Sequence, residues 1–169
     1  MKNKPLEAGD KAPTFRALAV GGEYGDAGKN VSLDDFAGRP VVLCFYPKDD
    51  TPGCSTQACG LRDAWKEFSA RLSGSEHRAA LFGVSTDSAA SHAKFIKKHN
   101  LPFPLLADED RKLVETYGVW VEKSMYGRKY MGTERSTFVI GADGKIRAVF
   151  RKVKPAEHAD LVLAELVRQ

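Results

Sequence analysis

The stretch VVLCFYPKDDTPGCSTQACG, residues 41–60, changes character twice within twenty residues. Pro40–Tyr46 is a continuous apolar run rich in β-formers, the pattern of a strand covered on both faces in a central sheet. Pro47–Asp50 reads as a loop. Thr51-Pro52-Gly53 then opens a helix, because Thr is a good N-cap and Pro is favoured at the first helical position. That numbering makes Cys54 the third helical residue, in the turn whose backbone N–H groups lack partners inside the helix. A sulfur there faces the positive end of the helix dipole. Such a setting can lower a thiol from about 8.5 into a range of roughly 3.5–7.5, which populates the nucleophilic thiolate at neutral pH. The position also follows a strand at the carboxyl edge of the sheet, where α/β folds place their sites.

The second cysteine, Cys59, lies about 500° further round the same helix and ~7.5 Å along it. The two Cα atoms are then roughly 8.6 Å apart, beyond the ~7 Å that a disulfide spans without backbone movement. The spacing implies two states, an intact helix with free thiols and a partly unwound helix with Cys54 joined to Cys59. That suits a nucleophile which is first oxidised to a sulfenic acid and then resolved by its neighbour. Gly60 weakens the helix where it has to open.

Outward from this segment, the helix is expected to run from Pro52 to Leu72, with Leu61, Trp65, Phe68 and Leu72 on its inner face. Ala79–Ser85 reads as a second buried strand, and Ser88–His99 as a helix turned inward through Phe95 and Ile96. Pro104–Ala107 reads as a short strand and Asp110–Tyr117 as a short helix closed by Gly118. Thr137–Ile140 and Lys145–Phe150 flank Gly-Ala-Asp-Gly, a hairpin signal. A last helix is expected from Pro155 to Val167. The Gly-rich stretch 21–30 reads as a surface loop between two N-terminal strands. The sum is an α/β sandwich in a single domain over residues 1–169, with a central mixed sheet, parallel in its middle and antiparallel at one edge, flanked by helices.

Composition narrows the function classes. Hydrophobic residues make up 43% and charged residues 28%, which fits an ordinary globular protein. The net charge of +4 comes from 26 basic residues dispersed among 22 acidic ones, so no nucleic-acid groove is expected. The opening MKNKPLEAGDKAPTF carries no apolar targeting core, and no run approaches the ~18 apolar residues of a membrane span. A cytoplasmic protein is expected. Three cysteines do not make a secreted disulfide scaffold. They also lack the spacing and the fourth ligand of a zinc site. Cys44, mid-strand, reads as a small core residue. His77, His92, His99 and His158 are scattered and read as surface or packing residues. Tyr46 is either a core ring or a pocket wall.

The segment FYPKDDTPGCSTQACGLRD (45–63) resembles the active-site segment of peroxiredoxins of the bacterioferritin-comigratory-protein/Q type. Pro47, Thr51 and Cys54 fall on that family's P-x-x-x-T-x-x-C motif, and Cys59 falls on the resolving position of many Q-type members. The similarity continues through GDKAPTF (9–15), VSLDDFAGRPVVL (31–43), LFGVSTDS (81–88), LPFPLLADED (101–110) and ERSTFVIGADGKI (134–146). Arg135 matches the family's active-site arginine. Ser55 and Gln57 replace the Thr and Glu of many relatives, and the 21–30 loop is a few residues longer than is common.

The resemblance implies a thioredoxin-like fold and thiol-dependent reduction of hydrogen peroxide and alkyl hydroperoxides, with thioredoxin or a similar dithiol as reductant. No metal, haem or flavin cofactor is implied. Cys54 would be the nucleophile and Cys59 its resolving partner. Thr51 would align the peroxide, Arg135 would keep the sulfur anionic, and Pro47 would wall the pocket from water. The Gly53 and Cys54 amides would complete the anion site. A resolving thiol on the same helix removes the need for a second subunit, so a monomer is expected. Two rival readings use the same residues: a thiol–disulfide oxidoreductase without peroxidase activity, and a redox sensor. The five-residue spacing speaks against the first, because it obstructs direct dithiol cycling.

Overall fold

The computed structural model describes residues 5–72 and 79–167. In chain order the strands and helices are β1 (Arg16–Val20), β2 (Lys29–Ser32), β3 (Val41–Phe45), α1 (Pro52–Asp63), α2 (Trp65–Leu72), β4 (Ala80–Ser85), α3 (Ala89–His99), β5 (Leu105–Ala107), α4 (Lys112–Thr116), β6 (Trp120–Met125), β7 (Arg128–Thr133), β8 (Ser136–Ile140), β9 (Ile146–Arg151) and α5 (His158–Val167). Seven strands form one sheet in the order β2-β1-β5-β4-β3-β8-β9. β5, β4 and β3 run parallel, and the pairs on either side are antiparallel. The mixed sheet expected from the sequence is present, with the β8–β9 hairpin at one edge.

β3 lies between β4 and β8, and all five of its residues are buried. The two-residue period of a strand divides them between two cores. Val41, Leu43 and Phe45 join Phe82, Leu106, Tyr117 and Phe138 on one face. Val42 and Cys44 join Cys54, Ala58, Leu61, Phe95 and Val162 on the other, so α1, α3 and α5 pack on the face that carries the first helix cysteine. Each fully buried Leu or Phe side chain contributes about 1.5–3 kcal/mol, and these two layers fix where α1 can sit.

Three boundaries differ from expectation. The helix after Pro52 stops at Asp63 and restarts at Trp65, with Ala64 as the turn between. Beyond the turn, Trp65 packs on Phe103 with ring centroids 5.8 Å apart. The side chains of Phe68 and Leu72, and the whole of His77, lie outside the described residues. The last helix begins at His158, because Pro155–Glu157 forms a turn instead. The Pro155 ring lies beside α1 at Gly53, where a Cβ would meet its Cγ at 3.6 Å.

The short fourth helix starts at Lys112 rather than Asp110. The buried Asp108 carboxylate accepts the Leu113 and Val114 amides at 3.0 and 2.9 Å, and so secures its first turn. The hairpin β6–β7 has no counterpart in the sequence reading. Its strands mix charged and apolar residues and are largely exposed, Met125, Tyr130 and Met131 included, and its turn is Tyr126-Gly127, both residues with positive φ. No helix among the described residues is long and apolar enough to cross a membrane.

Candidate active site

Thr51 is extended at the N-cap position of α1, with Pro52 first in the helix and Cys54 third. The Thr51 hydroxyl does not cap the helix. It donates to the Lys48 carbonyl at 2.9 Å, closing the 48–51 turn on itself. No side chain caps α1, so its first-turn amides keep their positive field around Cys54. Cys54 itself is buried and its thiol is free.

Arg135, between β7 and β8, closes the site from above. Its Nη2 donates to Cys54 Sγ at 3.3 Å, and its Nη1 donates to the Gln57 side-chain oxygen one turn further along α1. The guanidinium fits because residue 53 has no side chain, since a Cβ there would come within 3.1 Å of Nη2. Lys123 on β6 adds a second cation. Burial, followed by the Arg135 charge, lowers its pKa, while the charge of Cys54 acts in the opposite direction. Gln57 and Lys123 carried no functional reading in the sequence. The first appeared only as a departure from a motif, and the second sits on the unread hairpin.

The loop before α1 is held from below. Asp49 is buried, and its carboxylate accepts from Tyr46 Oη at 2.5 Å and Ser91 Oγ at 2.8 Å, and pairs with His92 Nδ1 at 2.7 Å. His92 Nε2 lies 2.9 Å from the Leu106 carbonyl. The Asp49 amide donates to Asp87 at 2.8 Å. Tyr46 is therefore a buried ring whose hydroxyl is consumed by the network, and it also lines the small cavity beside Cys54. Burial and the adjacent Asp49 raise its pKa well above the usual tyrosine range. Pro47, half-buried, opens the loop that this network pins, and Thr51 ends it.

The other two thiols differ from Cys54. Cys44 is buried in β3, where burial pushes its thiol up to about 12 against a weaker opposing hydrogen bond with Thr137; this is the core role expected of it. Cys59 is half-buried on α1, and its sulfur lies 3.6 Å from His99 Nδ1 at the end of α3. His158 is fully buried with Nε2 2.6 Å from Thr137 Oγ1. Of the scattered histidines, His92 and His158 serve the interior and His99 meets a cysteine. No group of three or more His, Cys, Asp or Glu side chains suited to a metal ion occurs among the described residues.

A strand that delivers a thiol to an uncapped helix start, under an arginine, defines a protein class built for thiol chemistry on a mixed α/β sheet. The AhpC/TSA family model matches residues 8–149, and the chain belongs to that family. The chain is 45% identical over 161 residues to the putative peroxiredoxin Bcp of Coxiella burnetii, covering 95% of this chain and 99% of that one. It is equally identical to peroxiredoxin Bcp of Bacillus subtilis, with 95% of each chain covered. Peroxiredoxin Q of Xanthomonas campestris superposes with a TM-score of 0.79 at 37% identity, over 94% of this chain and 96% of that one. The fold is thus the thioredoxin-like fold of peroxiredoxin Q, and the Bcp/Q-type resemblance read from the sequence is borne out. The chain is a cysteine-dependent peroxidase.

Proposed function

We propose that Cys54 is the peroxidatic cysteine and Cys59 the resolving one, in a catalyst that reduces hydrogen peroxide and alkyl hydroperoxides. The observation that carries this reading is the 3.3 Å contact from Arg135 Nη2 to Cys54 Sγ, made at a helix start with no side-chain cap. The Cys54 thiolate attacks one oxygen of ROOH and the O–O bond breaks. The leaving RO⁻ takes a proton to give ROH, and Cys54 becomes a sulfenic acid. Arg135 and the amides of Gly53 and Cys54 supply positive charge where the thiolate and the departing oxygen need it. The Thr51 hydroxyl, while donating to Lys48, retains acceptor capacity toward the proton of the bound peroxide. Pro47 contributes no N–H and shields the entrance.

Cys59 then attacks the sulfenic sulfur, the S–O bond breaks, and a 54–59 disulfide and water result. A dithiol, thioredoxin or one of its kind, reopens the bridge by exchange. As written, the cycle uses two thiols and no metal, haem or flavin. Both thiols lie on one helix, which supports action as a monomer, and one seven-stranded sheet runs through the described residues, which supports a single domain. The reducing cytoplasm is the compartment in which such a pair is recycled. The alkyl hydroperoxide part draws on the Xanthomonas campestris bacterioferritin comigratory protein, a structure of 36% identity and TM-score 0.79 described by its alkyl peroxide reduction activity.

The test is a coupled assay with thioredoxin and its reductase, following NADPH loss on addition of H2O2 or an alkyl hydroperoxide. Cys54→Ser abolishes consumption. Cys59→Ser completes one turnover and then stops without an intramolecular disulfide; a bridge persisting in that protein would assign resolution to Cys44.

A further inference from the structure

His99 is the last residue of α3, and Cys59 lies on α1, forty residues earlier in the chain. Packing of the two helices on one face of the sheet brings His99 Nδ1 to 3.6 Å from Cys59 Sγ, within hydrogen-bonding reach for a thiol. The other ring nitrogen, Nε2, is buried, has no hydrogen-bond partner, and lies 3.6 Å from Asp50 Oδ1. Asp50 holds the left-handed conformation at φ 57, and both its oxygens accept from Lys98 Nζ at 2.8 Å. Lys98 keeps the Asp50 carboxyl below the usual range, with a smaller contribution from His99. Phe95 meets the imidazole edge-on at 5.2 Å, and Arg62 Nη1 donates to the His99 carbonyl at 2.8 Å. Thiol, imidazole and carboxylate thus stand in series, the order in which a base-activated nucleophile is assembled.

We propose that His99 is the general base for Cys59, with the Asp50 carboxylate facing its other ring nitrogen. The idea deepens the reading of Cys59 as the resolving thiol and rests on it. The Cys59 S–H proton passes to His99 Nδ1, the tail of α1 unwinds, and the sulfur attacks Cys54 sulfenic acid. The S–O bond breaks, and hydroxide leaves as water by taking up one proton. Cys59 sulfur is oxidised, Cys54 sulfur is reduced, and the net change is a disulfide and one water. The charged groups facing the pair are Asp50 and Lys98, bound to each other, and Arg62, bound through Nε to Asp63 at 3.0 Å. Lys98 and Arg62 have no acceptor and both carboxylates are held by them, so the imidazole 3.6 Å from the sulfur is the acceptor within reach.

Two measurements test this. In Cys54→Ser protein, peptide-resolved alkylation of Cys59 by iodoacetamide is followed from pH 5 to 9. If the imidazole draws the proton from the sulfur, His99→Gln or His99→Asn should slow alkylation at pH 7 by roughly fivefold or more. With Cys54 present, Trp fluorescence after one equivalent of H2O2 should show the disulfide-forming phase slowed by a similar factor against the phase that precedes it. Unchanged alkylation overturns the proposal, as does slowed alkylation with an unchanged disulfide-forming phase. A faster second phase also overturns it, since His99 would then be a latch holding Cys59 in the helix. If Cys59→Ser retains the second phase, the assignment of the resolving thiol fails instead, and alkylation alone decides what His99 does to the sulfur.

Discussion

Gln57 and Arg135, seventy-eight residues apart in sequence, are bonded through the same guanidinium that reaches Cys54. The planar fork lets one nitrogen serve the amide oxygen while the other serves the sulfur, so Gln57 fixes the angle at which Arg135 meets the thiol. Gln57→Ala is expected to lower kcat/KM for H2O2 about tenfold with the fold intact. Arg135→Ala should cost on the order of 10²–10³, the scale of losing a preorganised charge donor. Stopped-flow rates of peroxide consumption compare the two. A Gln57→Ala protein at the wild-type rate would separate the amide from the function of the arginine.

Gly53 makes a second, independent test of the same contact. A methyl group at this position would crowd Arg135 Nη2 at 3.1 Å, and the end of a flexible side chain gives way more easily than backbone does. Alanine also loses less chain entropy on folding than glycine, by roughly 0.4–1 kcal/mol where the backbone suits it. Gly53→Ala should therefore melt no lower than wild type in a thermal scan, yet react with peroxide about tenfold more slowly because the guanidinium is displaced. Stability and activity would move in opposite directions.

The reading of residues 41–60 shows what local sequence carries. The apolar run and the Pro at the first helical position are local signals, and they correspond to β3 and to the start of α1. The break at Ala64 was not legible, because the apolar spacing of Leu61 and Trp65 continues across it while the packing of Trp65 on Phe103 is a tertiary contact. The β6–β7 hairpin was not legible for a different reason: its apolar residues, Trp120, Val121, Met125, Tyr130 and Met131, follow no clean alternation, and its one local signal was Tyr126-Gly127. Thr51 illustrates a third limit. A good capping residue at the capping position spends its hydroxyl on the Lys48 carbonyl instead. The partnership of His99 with Cys59 depends on how two helices pack, and no spacing within either one encodes it.

His158 ties stability to pH. Burial, then the nearby Arg135 charge, lowers it from 6.5 to about 4. A base with a depressed folded-state value binds fewer protons folded than unfolded between those limits. Its contribution is thus fully present above about pH 6.5 and is lost as the pH falls toward 4. The loss is on the order of 3 kcal/mol over that window. Urea unfolding at intervals from pH 7 to 4.5 should show the decline, and His158→Phe should flatten it. A wild-type profile that is level from pH 6.5 to 5 would contradict this.

Asp49 should matter for stability more than for chemistry. Its carboxylate is shared by Tyr46, Ser91 and His92, all within 2.8 Å. Asp49→Ala leaves those groups without their partner in a buried site, at a cost of about 3–5 kcal/mol by the scale of broken buried pairs. A urea midpoint lowered by less than 1 kcal/mol equivalent would mean that the network relaxes without it.

The stop at Ala64 bears on how far a disturbance travels. Cys59 lies only four residues from the end of a twelve-residue coil, and helices of that length owe most of their stability to what they pack against. Had the coil run on unbroken to Leu72, freeing Cys59 would have meant melting the middle of a rod. Because the coil stops at Ala64, Trp65 belongs to the next helix and keeps its own seat on Phe103, so the release proposed for Cys59 would need to disturb only the four residues that follow it.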